Sequence, residues 1–350
     1  MGAIVTQRIS RAIRNPVIIG VDGGGTNFRV RAYPFVRGRV QRKDVFDAKF
    51  KTADYARMGE IIAEVFDRDP KLSKRTKGVG LGIAGAFDGN KVKITNSPNF
   101  AEVNLGQLAD AFGFQYVGGV NDLEATAYGV VAGLDSDEKV TIHPGVKKAG
   151  NQAVIAPGTG LGEAIILDGK LPIASEGGHS DFAPVNHDQI ELLKYLQKNH
   201  PDEAICYEDV LSGEGLVNIV CSLCETGYAL PDFWLTIPSG TNELPAKIAQ
   251  KATEGTCVTC MHALHIFISV LAQEASNLAL KSLSTGGVYI GGTASQNLPF
   301  IQRNHVVFNS AFDHKRKQKA LVKDIPVSVI TKEDVNEFGA AYFVSGKIAK

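Results

Sequence analysis

A glycine-rich segment near the start of the chain has the residue types of a phosphate-binding loop. Its candidate residues are Asp22, Gly23, Gly24, Gly25, Thr26 and Asn27. The alternation of apolar residues and arginines that follows has the period of a half-buried strand, so the glycines are predicted to join two strands. Walker loops and dinucleotide fingerprints lead instead into a helix. Glycines let backbone N–H groups approach an oxyanion closely, and Asp22 could hold a hydrated Mg²⁺; a tight turn capped by Asp22 is the alternative.

The same pattern returns later in the chain. A second glycine turn stands between the apolar stretches 153–156 and 163–167, and its candidate residues are Gly158, Thr159 and Gly160. Two hairpins with glycine and threonine at their tips could together hold the phosphates of one nucleotide. We therefore expect both turns to bind phosphate.

Asn121 and Asp122 stand at the point where a predicted strand leads into a predicted helix. Ligands of α/β proteins gather outside the carboxyl ends of the strands, which favours a functional role for both residues. Asn and Asp are also preferred N-cap residues, so a purely structural role is the alternative.

Three further polar residues lie in glycine-rich surroundings between and after these motifs. They are Glu176, His179 and Glu208. Carboxylates and an imidazole in such a setting are suited to recognising several hydroxyl groups, as a sugar presents, because an absent hydroxyl would leave a polar group unsatisfied. Singly, His179 could be a structural hydrogen-bonding residue and Glu208 could begin a helix.

Apolar periodicity predicts alternating strands and helices along the chain, which is typical of the α/β class. Helical spacing is clearest over 58–66, 105–112, 188–198, 256–283 and 300–312, with a terminal helix from Asn336. A chain of 350 residues exceeds the usual size of one core, so two domains are expected. We place a flexible N-terminal extension over 1–16, a small α/β domain over 17–132 plus 333–350, and a large α/β domain over 133–332.

Composition argues against several classes of partner. The chain has 37 basic and 37 acidic residues, so no net charge attracts nucleic acid or an anionic membrane. No apolar run of membrane-spanning length and no cleavable leader are evident, which predicts a cytoplasmic protein. Arg8, Arg11 and Arg14 leave organellar targeting by the N-terminal extension open.

The five cysteines include two Cys-x-x-Cys pairs, Cys221 with Cys224 and Cys257 with Cys260. Apolar residues at three- and four-residue spacing surround both pairs, whereas structural zinc sites usually place such pairs on turns. We expect these cysteines to be small buried hydrophobic residues on helices. The odd count also suits a reducing compartment.

Taken together, these motifs resemble those of the bacterial-type glucokinases, which belong to the actin, hexokinase and heat-shock ATPase superfamily. The resemblance extends over 17–346 and includes a Leu-Ser-Gly element after Glu208 and the glycine pair Gly291-Gly292. Gly23 departs from the pattern, since many members have a larger residue there. The N-terminal extension has no counterpart in the resemblance.

The resemblance implies a two-lobe actin-like α/β fold, with a five-stranded ribonuclease-H-like sheet in each lobe and a cleft between the domains. It implies that Asp122 is the catalytic base and that Asn121, Asp122, Glu176, His179 and Glu208 bind glucose. It also implies that the glycine turns bind ATP, with Mg²⁺ near Asp22, and that Gly291 and Gly292 lie on the adenosine side.

The activity implied is transfer of the γ-phosphoryl group of ATP to the 6-hydroxyl of glucose, giving glucose 6-phosphate and ADP, by a homodimer. A kinase for mannose or N-acetylglucosamine is an alternative. A sugar-sensing repressor or a non-metabolic ATPase of the same superfamily is another. Few residues precede the first predicted strand, too few for a helix-turn-helix domain, so the repressor is disfavoured.

Overall fold

The computed structural model describes residues 15–95, 100–294 and 296–348, so residues 1–14 of the predicted N-terminal extension lie outside the described part of the chain. The chain divides into two compact units. The first unit is Met1–Leu134 with Lys332–Lys350, and the second is Asp135–Thr331. Each unit has its own buried apolar cluster.

The first unit begins with an antiparallel hairpin and continues with alternating strands and helices. Its strands are β1 (Val17–Gly23), β2 (Asn27–Val36), β3 (Arg39–Val40), β4 (Phe46–Lys51), β5 (Thr76–Ile83), β6 (Gly85–Asp88), β7 (Lys91–Ile94), β8 (Val103–Asn104) and β9 (Tyr116–Asn121). Its helices up to this point are α1 (Met58–Arg68), α2 (Pro70–Ser73), α3 (Leu105–Phe112) and α4 (Asp122–Val131).

The main sheet of the first unit has the order β3-β2-β1-β5-β9, and β4 also pairs with β2. Strands β1, β5 and β9 are parallel, so their carboxyl ends meet at one edge of the sheet. A separate three-stranded sheet has the order β6-β7-β8. This topology places the ends of β1 and β9 on the same edge.

The second unit repeats the plan with more helices. Its strands are β10 (Lys139–His143), β11 (Gln152–Pro157), β12 (Leu161–Leu167), β13 (Leu171–Ser175), β14 (Val288–Ile290) and β15 (Val327–Ile330), in the order β10-β15-β14-β11-β12-β13. Its helices are α5 (His187–Asn199), α6 (Gly213–Glu225), α7 (Glu243–Glu254), α8 (Val258–Ser282), α9 (Leu298–Arg303), α10 (His305–Phe312) and α11 (Lys319–Lys323). The last helix, α12 (Val335–Ile348), belongs to the first unit.

The predicted α/β class is confirmed, but two details of the prediction are wrong. Each main sheet has six strands, not five, because β3 and β4 both pair with β2 and because β10 adds an antiparallel strand beside β15. The helix predicted over 300–312 is two helices, α9 and α10. Asn304 separates them, and its side chain bonds back to the carbonyl of Phe300 at 2.9 Å.

Helix α8 is long and apolar enough to cross a membrane, a length of apolar chain that we did not expect from the sequence. Most of its apolar window, 78%, is buried within the structure. A helix that is apolar on most sides and buried in this way is the pattern of a core helix.

The two Cys-x-x-Cys pairs lie on helices or at their start, as their spacing predicted. Cys221 and Cys224 are on α6, and Cys257 is the N-cap of α8. All three are only partly buried, so the predicted burial is wrong for them and holds for Cys260, in the first turn of α8. Among the described residues, no group of three or more His, Cys, Asp or Glu side chains is arranged to hold a metal ion.

Helix α12 packs closely on α4 and on the sheet of the first unit because glycines remove the side chains from the contact. A Cβ atom at Gly339 would overlap the carbonyl oxygen of Ala125 on α4, and one at Gly20 would overlap the carbonyl of Glu337 on α12. These contacts are between backbone atoms, which cannot move aside. The close packing holds α12 against β1 and α4.

We predict that Gly339→Ala destabilises the protein by about 2–4 kcal/mol, because the methyl group forces α12 away from α4. Gly346→Ala, on the same helix, is the matched control. Gly346 is exposed and a Cβ there meets no atom, so the control should be neutral or stabilise by about 0.5–1 kcal/mol. Denaturant unfolding of both variants would test this, and equal stabilities would contradict the packing argument.

Candidate active site

The carboxyl edge of the first sheet brings together the first glycine turn and the Asn121-Asp122 pair. In the strand register Gly23 lies beside Ile83, and Ile83 lies beside Asn121. Asp22 and Asp122 therefore lie at the carboxyl edge of the sheet, near the ends of β1 and β9, with β5 between them.

The first glycine turn joins β1 to β2, so it leads into a strand, as predicted. The amide of Gly24 donates to the carbonyl of Asn27 at 3.1 Å. Thr52, which no sequence motif indicated, makes two hydrogen bonds to the turn. Its hydroxyl donates to the carbonyl of Gly24 at 2.9 Å, and its amide donates to the carbonyl of Thr26 at 3.0 Å. The turn has a fixed backbone, and the side chain of Thr26 is exposed.

Asp22 has an unusual electrostatic environment. Burial and the neighbouring Asp122 carboxylate raise the pKa of Asp22, and Arg29 lowers it by less. The resulting pKa is about 6. Burial is the largest of these effects, and it disfavours the charged form of any carboxyl group. The ionised Asp22 carboxylate would therefore be stabilised by a cation bound next to it.

Asn121 and Asp122 cap the start of helix α4, which is the structural role that the sequence left open for them. The side chain of Asn121 is the N-cap, and its Oδ1 accepts from the amide of Leu123 at 2.9 Å. Oδ1 of Asp122 also accepts from that amide at 2.9 Å. The cap bond of Asn121 uses its side-chain oxygen, so its amide nitrogen can still serve a ligand.

Two residues of α12 support this edge and were not indicated by the sequence. Asn336 donates from Nδ2 to the carbonyl of Asp122 at 3.0 Å. Glu337 is 1% exposed, and its Oε1 lies 3.5 Å from Nε of Arg29 and 3.7 Å from Nε of Arg31. The alternation of arginines in β2 hinted at a buried acidic partner. The partner itself is far downstream, where a single sequence offers no signal.

In the second unit the turn at Gly158 to Gly160 is held by the segment that precedes α6. The amide of Gly158 donates to the carbonyl of Gly160 at 2.7 Å, and the amide of Gly213 donates to the carbonyl of Gly158 at 2.9 Å. Oε2 of Glu208 accepts from the amide of Leu161 at 2.8 Å. The Glu208 carboxylate therefore packs directly against this turn.

Glu176, His179 and Glu208 come together in the second unit. The amide of Glu208 donates to the carbonyl of Gly178 at 2.9 Å. Glu176 and His179 are side by side, with Oε2 and Nε2 3.8 Å apart, and both side chains are exposed. Glu208 does not begin a helix, since α6 starts at Gly213. The two segments that carry these three residues are therefore adjacent, and we call the three residues the polar cluster.

A cavity of about 580 Å³ opens next to the same turn within the second unit. One wall is α7, whose role the sequence did not indicate, and another is the apolar face of α8. The residues that line the cavity include Thr159, Gly213, Pro245, Ala246, Phe267 and Thr293. An apolar slot with a glycine turn at one end matches the two parts of a nucleotide, the base and the phosphates.

Gly291 and Gly292 do not line this cavity, but they position a residue that does. The amide of Gly291 donates to the carbonyl of Ile155 at 2.9 Å. A Cβ at Gly292 would overlap the carbonyl of Pro157, and its φ of 61° is in the left-handed region. The following residue, Thr293, donates to the carbonyl of Pro157 at 3.1 Å and lines the cavity.

Two α/β units, each with a glycine hairpin at the carboxyl edge of its sheet, are the arrangement of the two-lobe actin-like fold. A solved ROK family glucokinase from Streptomyces griseus, in complex with glucose and AMPPNP, is 19% identical with a TM-score of 0.60, and the match covers 93% of this chain and 98% of that one. At this identity the likeness shows the fold.

The family model for glucokinase matches residues 19–347, and the chain belongs to the glucokinase family. A glucokinase of Mesorhizobium japonicum is 32% identical over 326 residues, covering 91% of this chain and 89% of the relative. The crystal structure of a glucokinase from an Antarctic psychrotroph is 26% identical with a TM-score of 0.77, covering 95% and 100% of the two chains. The protein is an enzyme, an ATP-dependent glucose kinase.

The raised pKa of Asp22 predicts that Asp22→Asn stabilises the protein at neutral pH. Folding favours the protonated form of Asp22, so this contribution to stability is complete below the ordinary pKa of 3.8 and is lost as the pH rises through about 6. Asn imitates the protonated form at every pH. We expect a gain of about 1–2 kcal/mol at pH 7.5 that shrinks towards about pH 5.

Thermal and denaturant unfolding without nucleotide or metal would measure this gain. Asp110→Asn on the exposed face of α3 is the control and should show no such trend. A Asp22→Asn gain that is the same at both pH values would contradict the electrostatic explanation.

Proposed function

We propose that Asp122 is the general base of the phosphoryl transfer. Its carboxylate accepts the proton of the glucose 6-hydroxyl while O6 bonds to the γ-phosphorus of ATP and the bond from that phosphorus to the β–γ bridging oxygen breaks. The products are glucose 6-phosphate and ADP. The observation that carries this proposal is the placement of two carboxylates, Asp22 and Asp122, at the ends of β1 and β9 on either side of β5, where the charge of Asp122 acts on Asp22. A positioned base of this kind contributes about 10²–10⁴ in rate.

The polar cluster of the second unit is proposed to bind the sugar hydroxyls. Glu176 and His179 are exposed and adjacent, so they can each reach a hydroxyl, and Glu208 retains one carboxylate oxygen beyond its bond to Leu161. Asn121 is also proposed as a sugar ligand, since its amide nitrogen is not used in the cap bond to Leu123. Charged acceptors and an imidazole would reject a sugar that lacks the matching hydroxyl, because they would be left unpaired.

The cavity beside Thr159 is proposed to hold the nucleoside of ATP. Pro245 and Ala246 of α7 and Phe267 of α8 supply the apolar surface that a purine base needs. Gly158, Thr159 and Gly160 lie at its end, where backbone N–H groups and a hydroxyl can meet phosphate oxygens. The glycines of the first turn, with Thr26 and Asn27, would do the same in the first unit.

Asp22 is proposed to face Mg²⁺ through water. The fit rests on its environment, since a buried carboxylate beside Asp122 is destabilised when ionised, and a divalent cation would relieve that cost. Carboxylate oxygens are the ligands that Mg²⁺ prefers, with nucleotide phosphates completing its coordination. When bound, the metal neutralises charge on the phosphates. Asp22 then holds the phosphate side of the site while Asp122 acts on the acceptor.

We predict that Asp122→Asn lowers kcat by about 10²–10⁴ and leaves glucose binding unchanged. Asn keeps the oxygen that accepts from the Leu123 amide, so α4 retains its start. A coupled assay for ADP would measure turnover, and calorimetry would measure glucose binding. Asp110→Asn serves as the matched control for a charge lost elsewhere in the first unit. Turnover close to that of the unmodified enzyme would show that Asp122 is not the base.

Ala246→Trp is predicted to raise KM for ATP about tenfold or more and to leave KM for glucose unchanged. The indole ring would occupy the cavity where the base is proposed to lie. Ala320→Trp, on the exposed side of α11, controls for the added aromatic surface. If KM for glucose rises and KM for ATP does not, the cavity belongs to a different ligand.

A further inference from the structure

Two buried carboxyl groups, which the proposed reaction does not use, lie against each other in the core of the second unit. Glu163 of β12 is 2% exposed and Glu274 of α8 is fully buried. The charge of Glu274 acts directly on the carboxyl group of Glu163. Two adjacent carboxylates in a buried site cannot both stay ionised without compensation, so protonation of one of them is favoured.

The partners of the two groups indicate where the proton resides. Glu274 accepts from Nδ2 of Asn277 at 2.7 Å and lies 3.4 Å from Nζ of Lys281, so its charge is compensated. Oε1 of Glu163 is buried and accepts no hydrogen bond from any described residue. Burial and the charge of Glu274 raise the pKa of Glu163 to about 8. Glu163 is the protonated member at neutral pH.

Glu163 lies directly beneath the segment that carries Glu176 and His179. A Cβ atom at Gly177 would overlap Oε2 of Glu163, so the carboxyl group touches the backbone between the two residues. Glu163 is also the strand partner of Ser175, whose Oγ accepts from the amide of Gly177 at 2.9 Å. The segment is therefore seated on the Glu163 side chain.

Glu274 reaches the segment that carries Glu208. The link is Asn277, whose Nδ2 donates to Oε2 of Glu274 at 2.7 Å and to the hydroxyl of Tyr207 at 3.0 Å. Tyr207 is 2% exposed, and its amide donates to the carbonyl of Ser180 at 3.0 Å. The buried carboxyl pair is thus linked to both segments that carry the polar cluster.

We propose that the Glu163–Glu274 carboxyl pair positions the sugar-binding residues, with Glu163 supporting Gly177 and Glu274 acting through Tyr207. The proposal rests on the proposed function, in which Glu176, His179 and Glu208 bind glucose. Glu163 is a positioning residue, since it reaches the sugar only through the backbone that it supports.

The charges that face the pair define its response to pH. Lys281 faces Glu274, and Lys315 hydrogen-bonds to Oδ1 of Asn277, while the phenol of Tyr207 lies on the other side. Removal of the Glu163 proton places a second negative charge beside Glu274. We expect the repulsion to loosen the segment at Gly177 and to weaken glucose binding at alkaline pH.

The test compares Glu163→Gln, Glu163→Ala and the control Glu203→Gln, whose side chain is exposed on a loop of the same unit. The Gln amide imitates the protonated carboxyl group but does not titrate. KM for glucose, KM for ATP and kcat would be measured from about pH 6.5 to about pH 9.5.

Three results are expected. In the unmodified enzyme and in Glu203→Gln, KM for glucose rises as the pH passes through about 8. In Glu163→Gln it matches the unmodified enzyme at pH 7 and stays flat with pH. In Glu163→Ala it is raised about tenfold or more at pH 7, a loss of about 1.4 kcal/mol in binding, with KM for ATP unchanged. An alkaline rise that persists in Glu163→Gln overturns the proposal, and this readout remains if Glu163→Ala fails to fold.

Hydrogen exchange of the segments 175–181 and 205–209 separates this proposal from the proposed function. Faster exchange in Glu163→Ala together with a raised KM for glucose supports both. Faster exchange with an unchanged KM for glucose means that the pair positions the segments but that these do not bind the sugar, so the proposed function fails. Unchanged exchange overturns the positioning role and leaves the proposed function intact.

Discussion

The main electrostatic constraint on this protein is that carboxyl groups lie beside one another where water cannot compensate both charges. Asp22 has Asp122 as its neighbour in the first unit, and Glu163 has Glu274 in the second. Two adjacent carboxylates in a poorly solvated site cannot both stay ionised without a third charge. We propose that a cation arriving with the nucleotide relieves the first pair, whereas a proton on Glu163 relieves the second. One constraint would then serve both the proposed site of phosphoryl transfer and the proposed positioning of the sugar-binding residues.

Backbone approach decides where these groups can lie. The Glu163 carboxyl occupies the space that a side chain at Gly177 would fill, and the Glu208 carboxylate does the same at Gly160. Each acidic group is thus held against the main chain of a segment that bears proposed ligands. Glycine at these positions leaves room for a carboxyl group to pack against the main chain. Both glycine segments therefore contact a buried or partly buried acidic side chain.

The sequence predicted the parts of the fold that depend on local patterns. The β1–β2 hairpin, the bounds of α3 and the handover from β9 to α4 at Asn121 follow from apolar periodicity and turn residues, and the structure has them where expected. The break at Asn304 was missed because apolar spacing continues through it. Helix α7 was missed as well because it is polar on average, and one wall of the cavity was missed with it.

The supporting residues of the site could not be found in the same way. Glu337 and Asn336 are brought to Asp22 and Asp122 by the folding of α12 onto the first unit, a contact between distant parts of the chain. Glu163 looks like an ordinary polar position at the start of a strand. Its burial follows from the way β12 is covered by α8 and by the segment at Gly177. The glycine motifs mark where ligands are proposed to lie, while the residues that hold those motifs in place carry no motif.

The two carboxyl pairs differ in how their negative charge is compensated, and this difference indicates a different role for each pair. A fold selected for stability alone would have no reason to place an ionisable group at position 22, because Asn fits the same space without the cost of charge. In the proposed function, a cation bound beside Asp22 would offset that cost. The Glu163–Glu274 pair needs no ligand, since the proton and Lys281 already balance its charge. Its hydrogen bonds fix direction, which apolar residues of the same volume cannot do, and direction is what a set of sugar ligands requires.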